Sequence, residues 1–266
     1  MTKQNLTILS VGASGSIGMH VIDVALSQGH RVRALVRNRG KVESRSGLEI
    51  VKGDLTTPQS LAAAVEGVDA IVFTHGTYGS PQSAEAVDYG GVRNVLAALG
   101  RKHVRIALMT AIAVTDRKGA HDWKRRAERL VRASGNPFTI VRPGWFDYNE
   151  ADQRRLIMRQ GDKRQSGTPR DGVIARHDLA RVLVSSLTSD AVSGKTFELV
   201  AERGAEQGDL DPLFKVLDQD GALDAAHDAA NMPLGHEPPE VLKDLDVAKA
   251  AAIQRSSSSP DAEFSG

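Results

Sequence analysis

Hydrophobic positions fall along this chain in short solid runs that alternate with stretches of three-to-four spacing. Leu6-Thr7-Ile8-Leu9-Ser10-Val11 is an apolar run ending at glycine, as expected of a parallel strand buried on both faces. Ile17, Val21, Val24 and Ala25 then repeat at helical spacing up to Gly29, which stops the helix. The same alternation continues. Strands are predicted over 31–36, 48–51, 70–73, 104–109 and 138–141. Helices are predicted over 58–65, 85–99 and 120–131. Ala120, Trp123, Ala127, Leu130 and Val131 form the inward side of the last of these. Beyond Gly144 the pattern loosens: a strand over 156–158, a helix over 177–187, a closing strand over 196–200, then helices over 208–219 and 238–253.

Strands alternating with helices imply a parallel α/β sheet with helices on both faces, its strand carboxyl ends gathered on one edge. Ligands of such sheets bind at that edge, where the strand order reverses. The first 200 residues read as this domain, with substrate-site segments at 145–175. Residues 201–253 read as a helical C-terminal extension and cap, and 254–266, beginning with a serine run, as a disordered tail.

Charge divides along the same line. Residues from 201 onward carry 14 Asp/Glu and 5 Lys/Arg, a net of −9, which leaves +10 on the first 200 out of the total of +1. An acidic segment behind a basic body is read as the two packing together, against a basic surface waiting for an anion. Direct nucleic-acid binding is not expected, because no aromatic residues are interleaved with the basic ones. There are no cysteines, so disulfides and thiolate metal sites are excluded. No metal-ligand spacing occurs elsewhere. No apolar run approaches the roughly 18 residues of a membrane span, and the N-terminus lacks a signal-peptide pattern. The expectation is a cytoplasmic protein, with homodimerisation common for the architecture.

Chemistry concentrates first at Gly12-Ala13-Ser14-Gly15-Ser16-Ile17-Gly18. Gly12 permits the tight turn out of the strand, Gly15 lets backbone N–H groups approach a pyrophosphate, and Gly18 allows the helix to pack on the sheet. The helix N-terminus adds its positive dipole end. This is the dinucleotide loop of a Rossmann-type doubly wound fold. At the end of the second strand stand Arg37, Arg39 and Lys41 where NAD-specific folds often carry an acid. An arginine there would clamp a 2′-phosphate and favours NADP over NAD; solvated surface charges are the other reading.

Further segments complete a family pattern. They are Lys52-Gly53-Asp54-Leu55, Trp123-Lys124-Arg125-Arg126-Ala127-Glu128, Ser134 to Gly144, and Arg176-His177-Asp178-Leu179-Ala180. With the glycine loop, they make the chain resemble the atypical short-chain dehydrogenase/reductases, the NmrA-like and flavin reductase-like NAD(P)H-binding proteins. The resemblance runs to about Val200. It implies that Asp54 and Leu55 lie beside the adenine, and that Thr74, His75 and Gly76 line the ribose and nicotinamide. It further implies that Thr110 faces the substrate, that Lys124 bonds the nicotinamide ribose, and that Pro143, Gly144 and Trp145 close over the nicotinamide.

The chain departs from the wider superfamily at one point. The Tyr-x-x-x-Lys pair, one helical turn apart, supplies the proton for carbonyl chemistry; four residues before Lys124 stands Ala120. A nucleotide-sugar epimerase would need that acid/base. A quinone or flavin can accept hydride with its proton taken from water. The sequence therefore favours an NADPH-dependent reductase of a flat conjugated acceptor, with Lys124, Thr110 and Tyr148 as the candidate reactive residues. The rival is a non-catalytic redox sensor of NmrA type that works through a protein partner. Tyr148 either reaches the substrate or packs; His121 and Asp122 either replace the missing acid or open a helix. Arg154, Arg155, Arg159, Lys163, Arg164 and Arg170 either hold an anionic substrate or face the acidic extension. His177-Asp178 reads as a helix cap.

Overall fold

A computed structural model describes residues 5–77 and 79–257. Its first half is set by five short parallel strands, β1 (Thr7–Val11), β2 (Arg31–Val36), β3 (Leu48–Lys52), β4 (Ala70–Phe73) and β5 (Arg105–Met109). β6 (Phe138–Pro143) and β10 (Lys195–Glu202) extend the sheet in the same direction, and β8 (Arg155–Arg159) runs antiparallel on the far edge. The order is β3-β2-β1-β4-β5-β6-β10-β8. The reversal falls between β1 and β4, so the crevice opens beyond Val11 and Phe73.

Alternation along the central strands explains the layers. Ile8 of β1 and Ala70 and Val72 of β4 face one core, shared with α1 (Ser16–Ser27) and α5 (Arg176–Ser186). Leu9, Val11, Ile71 and Phe73 face the other, under α3 (Gly90–Leu99) and α4 (Ala120–Ala133). Burial on both faces is why these strands read as solid apolar runs. Two elements are too short to leave a sequence pattern: β7 (Trp145–Phe146) and β9 (Val173–Ile174), a two-stranded parallel ribbon over the crevice.

Three expected helices differ. The one at 58–65 is only a 3₁₀ turn, Pro58–Leu61. The one at 85–99 starts earlier, at α2 (Pro81–Ser83), and passes through a π segment, Ala84–Tyr89, before α3. The one at 208–219 shrinks to α6 (Asp211–Lys215), because Asp220 is pulled away to the body, where it accepts from Thr196 and Arg132. The last helix, α7 (Pro239–Ser257), runs past the expected boundary at 254; the rest of the expected tail lies outside the described residues. Among the described residues no helix is long and apolar enough to cross a membrane.

The acidic extension does pack on the basic body, and it does so on α4. One side of this helix, with Trp123, Ala127, Leu130 and Val131, enters the core as expected. The other side carries Arg125, Arg126, Arg129 and Arg132, and these are buried too. Arg129 donates Nε and Nη2 to Asp224 at 3.0 and 2.9 Å and Nη1 to Glu237 at 2.9 Å. Arg126 reaches Glu237 at 2.5 Å, and Arg132 reaches Asp220 at 2.8 Å. Arg142 on β6 donates to Glu128 at 2.6 and 3.0 Å and to Asp228 at 2.7 and 3.0 Å. Burial alone would raise the carboxyls of Glu128 and Asp228, but the Arg142 guanidinium holds both below the usual carboxylate range. Glu198 and Asp220 go the other way: burial raises them despite their arginine partners. Of the basic residues at 154–170, Arg154 pairs with Asp178 and with Glu206 of the extension, Arg155 and Arg159 pair with Glu202 at its start, Lys163 with Asp116 and Arg164 with Asp162.

Removing one side of a buried pair strands a charge and costs about 3–5 kcal/mol. Glu237→Ala leaves Arg126 without a carboxylate. Its urea-unfolding free energy is expected to fall by about that amount, while Glu202→Ala, at a half-exposed pair, shifts it by less than about 1 kcal/mol.

Candidate functional site

The glycine loop leaves β1 and enters α1 at the crevice. Gly12 has φ of +89°, and a Cβ there would lie 2.6 Å from the His75 nitrogen. At Gly18 a Cβ would lie 2.1 Å from the Gly12 carbonyl oxygen. These two glycines are required by backbone contact, before any ligand is considered. Gly15 differs: a Cβ there would meet only the Gly12 oxygen, at 3.1 Å, and the residue is exposed. Gly15 is also the N-cap of α1; it supplies no side-chain cap, and no acid sits in the first turn. Ser14 and Ser16 flank it in the open, and Ile17 is buried beneath. The helix end thus presents uncapped N–H groups to an anion, as a pyrophosphate site requires.

Arg37 stands exposed just beyond β2, next to Asn38, which caps the turn Arg39–Lys41. Across the crevice edge, Asp54 accepts from the Thr56 N–H and hydroxyl at 2.9 and 2.8 Å, which holds its carboxyl below the usual range. The Leu55 carbonyl is fixed by Asn94 at 2.7 Å.

The segment after β4 is brought against α4. Thr74 is buried, its hydroxyl donating to the Val11 carbonyl. The ring nitrogens of His75 are shut from solvent against the backbone of Val87 and Asp88, without a hydrogen bond of good geometry. Burial pushes this imidazole down to about 4, although Asp88 opposes the shift. Asp88 itself, in the π segment, accepts from Lys124 Nζ at 2.9 Å, from the Thr77 hydroxyl at 2.9 Å and from the Thr77 N–H at 3.2 Å. Gly76 has no side chain because one would press on Lys124 Nζ and Asp88, at 3.3 and 3.4 Å. Gly91 likewise leaves room for His75 and Leu55. The wide turn of a π segment often marks a functional position, and here it turns Asp88 toward Lys124.

Several of the expected site residues have partners within the chain. Lys124 is not free for a ribose alone, since it already holds Asp88. Thr110 is buried and donates its hydroxyl to Glu128 at 2.7 Å. His121 is half-buried, bonded to the Ala113 carbonyl and lowered by burial, while Asp122 pairs with Arg117. The cap expected at His177-Asp178 is absent, because Asp178 is spent on Arg154 and the N-cap residue is Ala175. No group of three metal ligands occurs among the described residues.

Pro143 ends β6 and Gly144 passes so close to Gly172 that a Cβ would meet its oxygen at 2.2 Å. Trp145 then stands 52% exposed and Tyr148 57% exposed, edge to face at 6.3 Å. Gly167 packs under the Trp145 ring. Ala113, Arg117 and Asp147, the non-glycine residues with positive φ among those described, all lie in the loops at this edge, where backbone strain tends to gather. The sequence pointed to neither Asp88 nor Asp147. A lone acid on the Val92–Val95 face of a predicted helix was the one available signal for Asp88.

A glycine loop with open N–H groups at the switch point, and a lysine of α4 turned into the same crevice, point to a dinucleotide-binding protein. Residues 12–190 match the family described as NAD(P)H-binding. Sanguinarine reductase of Eschscholzia californica is 27% identical, over 74% of this chain and 90% of its own. An NAD(P)H azoreductase of Xenophilus azovorans is 26% identical, over 75% and 70%. In fold the chain is similar to the oxidoreductase ylbE of Lactococcus lactis, with TM-score 0.68, 20% identity, and 80% and 99% of the two chains covered. The chain belongs to the NAD(P)H-binding family of atypical short-chain dehydrogenase/reductases.

Two outcomes are expected. Gly15→Ala should keep its melting temperature within a few degrees yet bind nucleotide at least tenfold more weakly, whereas Gly18→Ala should lose the fold; thermal unfolding and NADPH fluorescence separate them. For His75 the folded-state value lies below the unfolded 6.5, so its contribution is present above pH 6.5 and lost as pH falls toward 4. Between pH 7 and 5 the wild type should lose about 2 kcal/mol more unfolding free energy than His75→Asn.

Proposed function

We propose that this oxidoreductase takes NADPH and delivers hydride to a flat conjugated acceptor such as a quinone or flavin. The observation that carries the reading is the half-open aromatic pair, Trp145 and Tyr148, beside a site whose proton-donor position is Ala120. Aromatic faces bind a planar ring by stacking and need no polar match. The glycine cradle fits a pyrophosphate, because exposed Gly15 caps α1 without a side chain and leaves the helix N–H groups open. Residues 12–18 and the α1 N-terminus would hold that group, and Arg37 the 2′-phosphate. Bound nicotinamide supplies the hydride; the protein supplies position.

Lys124 is a positioning group in this reading. Asp88 fixes its ammonium at the end of β4, where it would orient the nicotinamide ribose. Burial lowers the His121 imidazole and its ring is bonded to the Ala113 carbonyl, so it is not assigned the acid's role. The acceptor's proton would come from water, which the exposure of Trp145 and Tyr148 admits. Relatives named as reductases support the direction of the chemistry.

The test is a titration with NADPH and NADH, followed by a quinone or a flavin while the reduced-nicotinamide absorbance is recorded. Consumption of NADPH is expected, at a rate unchanged by Thr110→Val and lowered at least tenfold by Trp145→Ala. Binding without consumption by any acceptor would overturn the reductase reading in favour of a redox sensor. Arg37→Ala should weaken NADPH about tenfold, the worth of one charge-assisted hydrogen bond, and leave NADH unchanged.

A further inference from the structure

Three segments far apart in sequence meet at the guanidinium of Arg176, the first residue of α5. Its Nε donates to the Ser16 hydroxyl at 3.2 Å, and Ser16 is the first residue of α1 in the glycine loop. Its backbone N–H donates to Asp147 at 2.9 Å, and Nη1 pairs with the same carboxylate. The guanidinium carbon lies 5.3 Å from the centre of the Phe146 ring. Nη2 makes no hydrogen bond among the described residues, and about a third of the side chain is exposed. Asp147 stands at φ +58°, between the exposed Trp145 and Tyr148.

We propose that Arg176 is the side-chain clamp for the dinucleotide pyrophosphate, and that through Asp147 it ties occupancy of the glycine loop to the position of the Trp145–Tyr148 loop. The loop otherwise offers the pyrophosphate only backbone donors and hydroxyls, and no acid sits in the first turn of α1 to repel it. A guanidinium touching Ser16 is within reach of a phosphate on that helix end, and its planar fork has a donor to spare for a phosphate oxygen. Nη1 and the backbone N–H keep Asp147 meanwhile. Asp147 is a positioning residue: its backbone stands at positive φ, its N–H donates to the Ile174 carbonyl at 3.0 Å, its carboxylate takes two bonds from Arg176, and it flanks both aromatic rings. The inference rests on the chain binding a dinucleotide at residues 12–18 and not on the identity of the acceptor.

Binding of NADPH and of adenosine 2′-phosphate, which lacks the pyrophosphate, is to be measured for wild type, Arg176→Ala and Arg176→Gln. Arg176→Ala is expected to weaken NADPH at least tenfold and adenosine 2′-phosphate less than twofold, with Arg176→Lys recovering part of the loss. Arg176→Gln gives the same answer if the alanine variant is unstable by thermal unfolding. In wild type, oxidised NADP should reduce quenching of the exposed tryptophan by iodide. In Asp147→Ala affinity should stay within threefold while that protection is lost. Unchanged NADPH affinity in the Arg176 variants, or equal loss for both ligands, overturns the clamp. Retained protection in Asp147→Ala overturns the tie to the aromatic loop. Failure of the wild type to bind either ligand overturns the dinucleotide reading itself.

Discussion

The layer of buried guanidinium–carboxylate pairs around α4 is the constraint on which the site depends. α4 carries Lys124 into the crevice and Glu128 toward Thr110 and Arg142, so its axial position fixes both. A helix with four buried arginines cannot take that place unless each charge meets a partner, because an unpaired ion in the interior costs several kcal/mol. The extension supplies Asp220, Asp224, Asp228 and Glu237, and the backbone carbonyls of Leu223, Ala229 and Met232 besides. The extension is thereby part of the domain's core and not an appendage to it. It also touches the crevice edge of the sheet, since Asn231 bonds both Arg125 and the Thr115 carbonyl in the loop before α4.

The same helix links to the π segment by two neighbouring contacts. Asp88 accepts from Lys124, while Tyr89 stacks on Trp123 at 5.4 Å and donates to Asp244 of α7 at 2.8 Å. Burial and the Asp244 carboxylate both push the Tyr89 hydroxyl up, which keeps it a donor. Lys124 is thus oriented by a carboxylate that a distortion of the helix presents, and that distortion is braced from the extension. One side of the crevice is held by these pairs, while on the other Trp145 and Tyr148 stand in solvent.

What the sequence determined by itself was local. The strand-to-helix turn at Gly12–Gly18 was legible because the positive φ of Gly12 and the close approach of Gly18 to the Gly12 carbonyl are local demands for glycine, and the central strands because burial on both faces removes polar positions from them. The gross pairing of an acidic tail with a basic body was also legible, from net charge alone. Which residues pair was decided by the tertiary structure. Arg129 and Asp224 are 95 positions apart, and Arg142 and Asp228 are 86 apart. Nothing in the spacing of α4 distinguishes a solvated arginine face from a buried one, because the helix period is the same in both. The carboxylates that meet the hydroxyl of Thr110 and the ammonium of Lys124, Glu128 and Asp88, were likewise not legible, because Asp88 arrives from another element and Glu128 from another turn of the fold. Local geometry is written in adjacent residues, whereas the partner of a charge is chosen by the fold.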